Sequence, residues 1–135
     1  MIVVIGSNPS SKSIDKTPFS LSTRSGRTIR EWFCDITDVH YVNVSDEPTE
    51  YNKPLKSSEI NSCLQTLKTK LKNADKIITV GKTADKACCL LNLDHFVMPH
   101  PSGRNRILND HSRIATMVAK LRTWALIREP SNQQS

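Results

Sequence analysis

The chain has 135 residues, with nineteen Lys plus Arg against thirteen Asp plus Glu, a formal charge of +6, four glycines and seven prolines. At about 100 to 200 residues per domain, this is one domain, large enough for a single sheet covered by helices but not for two cores, so a multidomain enzyme is excluded. The longest apolar runs, residues 1–5 and 87–91, fall far short of the roughly 18 residues that mark a bilayer span, and the chain opens directly in a strand-like run. Neither a transmembrane helix nor a signal peptide is expected, and an intracellular location is. Cys34, Cys63, Cys88 and Cys89 show no CxxC spacing, so they read as reduced, mostly buried thiols rather than a disulfide framework. The positive charge favours a polyanionic partner. Residues 101–135 carry six basic and two acidic side chains, a distribution that a solvated helix face would also produce.

In chain order, residues 1–5 (MIVVI) form a continuous β-branched run stopped by Gly6, the pattern of a strand buried on both faces. The loop Ser7-Asn8-Pro9-Ser10 follows. Residues 12–23 have no sustained period and contain Pro18, so they read as a surface excursion of the kind that carries function. After Ser25-Gly26-Arg27 a helix is expected over 28–34, with Ile29, Trp32 and Phe33 at i, i+3, i+4. Residues 40–44 (HYVNV) read as a second strand. A polar linker with Pro48 and Pro54 leads to a helix over 59–73 capped by Ser57 or Ser58, with Ile60, Cys63, Leu64, Leu67 and Leu71 on one face. Residues 76–80 (KIITV) are the third strand, closed by Gly81, and 83–91 the next helix. A fourth strand is expected at 96–98, and a final helix from 107 or 110 to 127, before a polar, disordered tail at 130–135.

Strands alternating with helices predict a doubly wound α/β domain, whose ligands bind outside the carboxyl ends of the strands. Those ends hold Gly6 to Ser10, Asn43-Val44-Ser45, Gly81-Lys82-Thr83 and His100-Pro101-Ser102-Gly103. No GxxxxGK[ST] or GxGxxG supports an ordinary nucleotide site. No HxxxH, HxE or paired-Cys pattern suggests zinc.

Gly6-Ser7-Asn8-Pro9-Ser10 resembles the first active-site motif of the uracil-DNA glycosylase superfamily, in the GxNPG form of its mismatch-specific and single-strand-selective branches. His100-Pro101-Ser102-Gly103-Arg104-Asn105-Arg106 resembles the second motif, an HPS loop followed by a DNA wedge, in the HPSxRN form of the single-strand-selective branch. Between them Pro18-Phe19, Arg24-Ser25-Gly26-Arg27, Val42-Asn43-Val44, Asn52-Lys53-Pro54 and residues 77–84 (IITVGKTA) are similar, in order, to the middle of the iron-sulfur thermophile-type branch. The resemblance spans residues 1–123. It implies a three-layer α/β/α domain with a central four-stranded parallel sheet over 1–129, acting on single- or double-stranded DNA, monomeric and away from membranes. Only Cys63 sits where one of that branch's four cluster cysteines would, so no cluster, metal or organic cofactor is expected.

The resemblance implies hydrolysis of the N-glycosidic bond of uracil, or of a 5-modified uracil, flipped out of DNA. Asn8 would place the water. An amide orients water but is no strong base, so the site would lean on leaving-group stabilisation. Asn8 supporting the turn before Pro9 is the plainer alternative, and Asp15 is the rival base. His100, fixed by a proline on each side, would donate to the base O2 as neutral imidazole, whereas His40, His95 and His111 are taken as structural. Asn43 would pair with the O4 and N3 edge, or else bond its own backbone. Phe19 would stack on the ring, with Gly6 and Ser7 lining the site, and Ser10 would leave room for a 5-substituent. Arg104 and Asn105 would be the wedge, with Arg106 and Arg113 near phosphates. Backbone N–H groups at Ser102, Gly103, Gly81 and Lys82, with Ser25, Gly26 and Arg27, would hold the strand. All four glycines thus fall in loops of the implied site. A fold member that binds DNA with little turnover, or a hydrolase of free nucleosides, would carry many of the same residues.

Overall fold

The computed structural model describes residues 1–9, 17–47, 54–100 and 111–126, the last without the side chains of 111–113 and 126. Four strands alternate with four helices: β1 (Ile2–Gly6), α1 (Arg24–Trp32), β2 (Val39–Asn43), α2 (Ser57–Lys70), β3 (Lys76–Val80), α3 (Lys82–Leu90), β4 (Phe96–Met98) and α4 (His111–Leu126). All strand pairs are parallel and the order across the sheet is β2-β1-β3-β4. The chain steps from β1 out to β2, then returns through α2 to β3 on the other side of β1. The direction reverses between β1 and β3, and in open α/β sheets the crevice for ligands lies at such a reversal.

The β-branched run of β1 is buried along its whole length because each face meets its own helix layer. Val3, Ile5 and Ile77 pack with Ile60, Leu67, Ala84, Ala87 and Cys88 of α2 and α3. Ile2, Val4, Ile78 and Val80 pack with Ile29 and Trp32 of α1 and Leu121 and Ala125 of α4. Alternation along the strands therefore builds two cores, and the expected three-layer α/β/α architecture with a four-stranded parallel sheet is the one observed.

Several boundaries differ from the sequence reading. α1 starts at Arg24, four residues early, because the Thr23 hydroxyl caps it by accepting the Gly26 N–H at 3.1 Å. Ser25-Gly26-Arg27 is thus the first turn of a helix, and Gly26 does not lie in a loop. α2 is preceded by Lys56, whose backbone N–H donates to the Glu59 carboxylate at 2.9 Å, rather than by a capping serine. β2 begins at Val39, one residue early, and so ends in register with Gly6 of β1. The four cysteines are unpaired, but Cys88 alone is buried; Cys63 is half-buried, and Cys34 and Cys89 are exposed. Burial pushes the Cys88 thiol up to about 12. No helix of the described residues is long and apolar enough to cross a membrane.

Leu67 and Ile78 are fully buried, one in each core. Replacing either by Ala should lower the unfolding free energy by about 3 kcal/mol, the usual cost of a cavity of this kind. Urea unfolding checks this, with an unchanged dependence on urea showing that the fold is retained.

Candidate functional site

The carboxyl end of the sheet is ordered beyond its last strand pair. Gly6 of β1 stands opposite Asn43 of β2. The pairing then continues, with the Val44 N–H donating to the Gly6 carbonyl and the Ser45 N–H to the Ser7 carbonyl, both at 2.9 Å. The start of the loop after β1 is therefore held as firmly as the strand, and Asn8 leaves it from a fixed point. The Asn8 side-chain oxygen accepts the Ser7 hydroxyl at 2.8 Å, and its NH2 donates to the Glu47 carbonyl at 3.4 Å. One lone pair of that oxygen is left to accept from water or substrate.

Two side chains close over Gly6. A Cβ added there would stand 2.8 Å from the end of the Phe19 ring and 2.9 Å from the Asn43 side-chain oxygen. Gly6 is thus required by space, because it lets an aromatic ring and a buried amide approach the same stretch of backbone. Asn43 is 3% exposed, and its own carbonyl accepts from the Lys70 ammonium at 3.2 Å, which is also paired with Asp46.

Phe19 reaches this position at a conformational cost. Its φ is +51°, in the left-handed region that disfavours a side chain, at about 1–3 kcal/mol. What holds it is α1. The Arg30 guanidinium donates to the Phe19 carbonyl at 2.7 Å and the Pro18 carbonyl at 2.9 Å, while lying 4.3 Å over the Tyr41 ring. Tyr41 in turn meets the Phe19 ring edge to face at 5.7 Å. Arg27 donates to the Leu21 carbonyl and Thr23 to the Ser20 carbonyl, both at 2.9 Å. A Cβ on Gly26 would collide with the Ser20 carbonyl and stand 2.7 Å from the Phe19 carbonyl carbon. Arg24 to Arg30 and the 18–21 loop are in effect one bolted unit.

His100 follows β4 across Pro99, over the start of α3. Gly81, with φ +88°, donates its N–H to the Met98 carbonyl at 2.9 Å, and a Cβ added to it would touch the Cβ of His100 at 3.4 Å. His100 is exposed, yet the protein around the ring removes enough water to hold its pKa below the ordinary histidine value. A neutral imidazole is therefore favoured, since desolvation disfavours the charged form. Gly81 and Lys82 form the N-terminal end of α3, where the first amides of a helix have no partner within it.

Gly6, Ser7, Asn8, Asn43 and Phe19 are thus gathered at one rim, with Gly81, Lys82 and His100 beyond β3. Ser25 and Arg27 lie on the first turn of α1. The expectation that the Gly26, Arg27 and Gly81 N–H groups contact a strand is corrected, because the Thr23 hydroxyl and carbonyl take the first two donors and the Met98 carbonyl takes the third. Ser10, Asp15, Ser102, Gly103, Arg104, Asn105 and Arg106 lie outside the described residues, as does the side chain of Arg113. Arg30 and Tyr41 were not singled out from sequence. The one signal for Arg30 was a cation beside Ile29 and Trp32 on an otherwise apolar helix face.

A family model described as the Uracil DNA glycosylase superfamily matches residues 1–122. No curated protein matches the chain.

Arg30→Ala should loosen the 18–21 loop and lower stability by about 2 kcal/mol, the size expected for hydrogen bonds from a charged donor. Hydrogen exchange should show faster amide exchange across the loop while β1 and β3 stay protected. Arg30→Lys should recover part of this, since one ammonium cannot serve both carbonyls over a ring in the same fork.

Proposed function

The chain belongs to the uracil-DNA glycosylase superfamily, a superfamily of DNA glycosylases, and from that premise we propose that it is a monofunctional glycosylase removing uracil, or a 5-modified uracil, from DNA. The observation that carries the reading is the convergence of Phe19 and Asn43 over Gly6, one strand-end away from Asn8. An aromatic face beside a buried amide suits a flat base with alternating acceptors and donors on its edge.

A base inside a duplex is out of reach, so the nucleotide is flipped into the site at a cost of a few kcal/mol. Phe19, held by Arg30 before substrate arrives, stacks on the ring. Asn43 pairs with the O4 and N3 edge. As the glycosidic bond breaks, negative charge grows on the base and positive charge on the sugar, as in glycoside cleavage generally. His100 donates an N–H to O2 and stabilises the departing anion. A neutral donor suffices in a dry site and leaves the product unprotonated. Asn8 orients the water that attacks the sugar carbon. The Lys82 amide at the start of α3, with Ser25 and the Arg27 guanidinium on α1, holds the phosphates. The wedge remains Arg104-Asn105, with Arg106 beside it. Neither the 6–10 nor the 100–106 motif contains a lysine that would attack the sugar, so the product is an intact abasic site.

One observation favours a second reading, a DNA-binding member with weak turnover: both ends of the Asn8 amide are engaged within the chain. Base-insensitive DNA binding without an abasic product would select it.

A uracil-containing oligonucleotide incubated with the protein and treated with alkali should break at the uracil. Asn8→Ala and His100→Ala should each slow this by about a hundredfold, the scale for losing one aligned group at a developing charge. Intact uracil, 5-hydroxymethyluracil and hypoxanthine substrates in single and double strands would end the enzyme reading. The pH profile gives a separate check. The pKa of His100 lies below the ordinary value, so its neutral form persists as pH falls through the usual histidine range near 6.5. The rate should hold through that range and decline only below it, and His100→Ala should lack the decline.

A further inference from the structure

Along one face of α3, from Asp85 in its first turn to Cys89 in its last, and with His95 beyond it, a carboxylate oxygen, a thiol sulfur and an imidazole nitrogen lie within 4.8 Å of one another. We propose that these three side chains form a binding site for one zinc-class divalent cation, distinct from the base-binding rim. The proposal is independent of the glycosylase reading.

The backbone accounts for the meeting. Asp85 and Cys89 are four residues apart on α3 and so lie on one face. Asn92, with φ +58°, ends the helix in a left-handed turn. The Asn92 N–H donates to the Cys89 carbonyl and the Leu93 N–H to the Cys88 carbonyl, both at 3.0 Å. These two bonds are the Schellman pattern, which turns the chain back along the helix it has left. His95 is thereby carried over the Asp85 and Cys89 face just before β4 begins.

The donor set suits the ion. Zinc of this class takes nitrogen, sulfur and carboxylate oxygen, at bond lengths that set tetrahedral edges of about 3.3 Å between O and N and about 3.5 Å between O and S. Asp85 Oδ1 lies 3.7 Å from Cys89 Sγ and 2.6 Å from His95 Nε2. The first edge is near its target, the second must widen by about 0.7 Å to admit the ion, and the sulfur and nitrogen lie within 4.8 Å of each other. The imidazole is already oriented as in metal sites, because Nδ1 faces the Leu93 carbonyl at 2.7 Å. A carbonyl only accepts, so Nδ1 carries a hydrogen, and Nε2 is the nitrogen that faces the carboxylate. A ligating histidine is typically fixed in this manner by its other nitrogen. Without an ion, hydrogen bonds from Nε2 and from the thiol to Asp85 Oδ1 join the three groups, and a metal would take the place of those protons. The His95 side chain is 9% exposed, Asp85 39%, and Cys89 is exposed. The ion therefore has a way in and room for water as its fourth ligand. Binding expels the thiol proton to solvent. The neighbouring Lys86 does not repel the ion at close range, since its ammonium is drawn to the Ser57 hydroxyl at 2.8 Å.

The test uses the full chain freed of metal by chelator and titrated with Zn²⁺ and, separately, Co²⁺. One equivalent should bind, the Co²⁺ form should show thiolate-to-metal absorption, and Zn²⁺ should raise the melting temperature. Cys89→Ser and His95→Gln should each weaken binding at least tenfold, and Cys89→Ser should abolish the thiolate band. Because Cys89 is exposed, its serine variant should fold, which an unchanged metal-free melting temperature verifies. Cys34→Ser and Cys63→Ser should bind as the parent does. No stoichiometric binding, no thiolate band, or binding that follows Cys34 or Cys63 instead of Cys89 would each overturn the proposal.

Discussion

The bare Cα of Gly6 is the constraint on which the rest of the rim depends. Because no side chain stands there, the Phe19 ring and the Asn43 amide can occupy one volume beside the end of β1. Everything around them serves that approach. The β1–β2 register places Asn43 opposite Gly6, and the backbone pairing that continues past the strands sets where Asn8 begins. Arg30 supplies the remaining constraint by holding the carbonyls on either side of the Pro18–Phe19 peptide step. A rim assembled in this way is rigid before any ligand arrives, so little ordering remains to be done on binding.

The two helix layers divide the work. α1 is short, begins under the 18–21 loop and spends its polar groups on that loop's carbonyls. α3 begins at the sheet edge below His100 and ends in the left-handed turn at Asn92. One helix therefore shapes what would hold a base, and the other starts beside His100 and carries Asp85 and Cys89 along one face. The sheet keeps these functions apart at a spacing that neither loop could maintain alone.

Much of this was legible in the sequence, for identifiable reasons. The runs 1–5 and 76–80 are continuous and β-branched, and such runs are buried strands wherever helices cover both faces. The strand-end residues Gly6, Asn43, Gly81 and His100 stood out because glycine, amide and proline-flanked histidine are unusual where a strand gives way to a loop. The start of α1 was missed because glycine weakens helix propensity, whereas here Gly26 is tolerated for the carbonyls that press against it. Arg30 and Tyr41 were invisible since their partnership depends on contacts eleven residues or more apart, and no local spacing announces it. Asp85, Cys89 and His95 escaped for a related reason. Two are related by helical period, but the third joins them only through a reversal whose turn residue, Asn92, lacks the usual glycine signal.

The Arg30 fork has a consequence for how this domain could diversify. Both of its hydrogen bonds end on main-chain oxygens, and those atoms are the same whatever side chain follows them. The loop's shape is thus decoupled from the identity of the residue it displays. Position 19 behaves as a socket: the fork that fixes its backbone stays in place whichever side chain stands there.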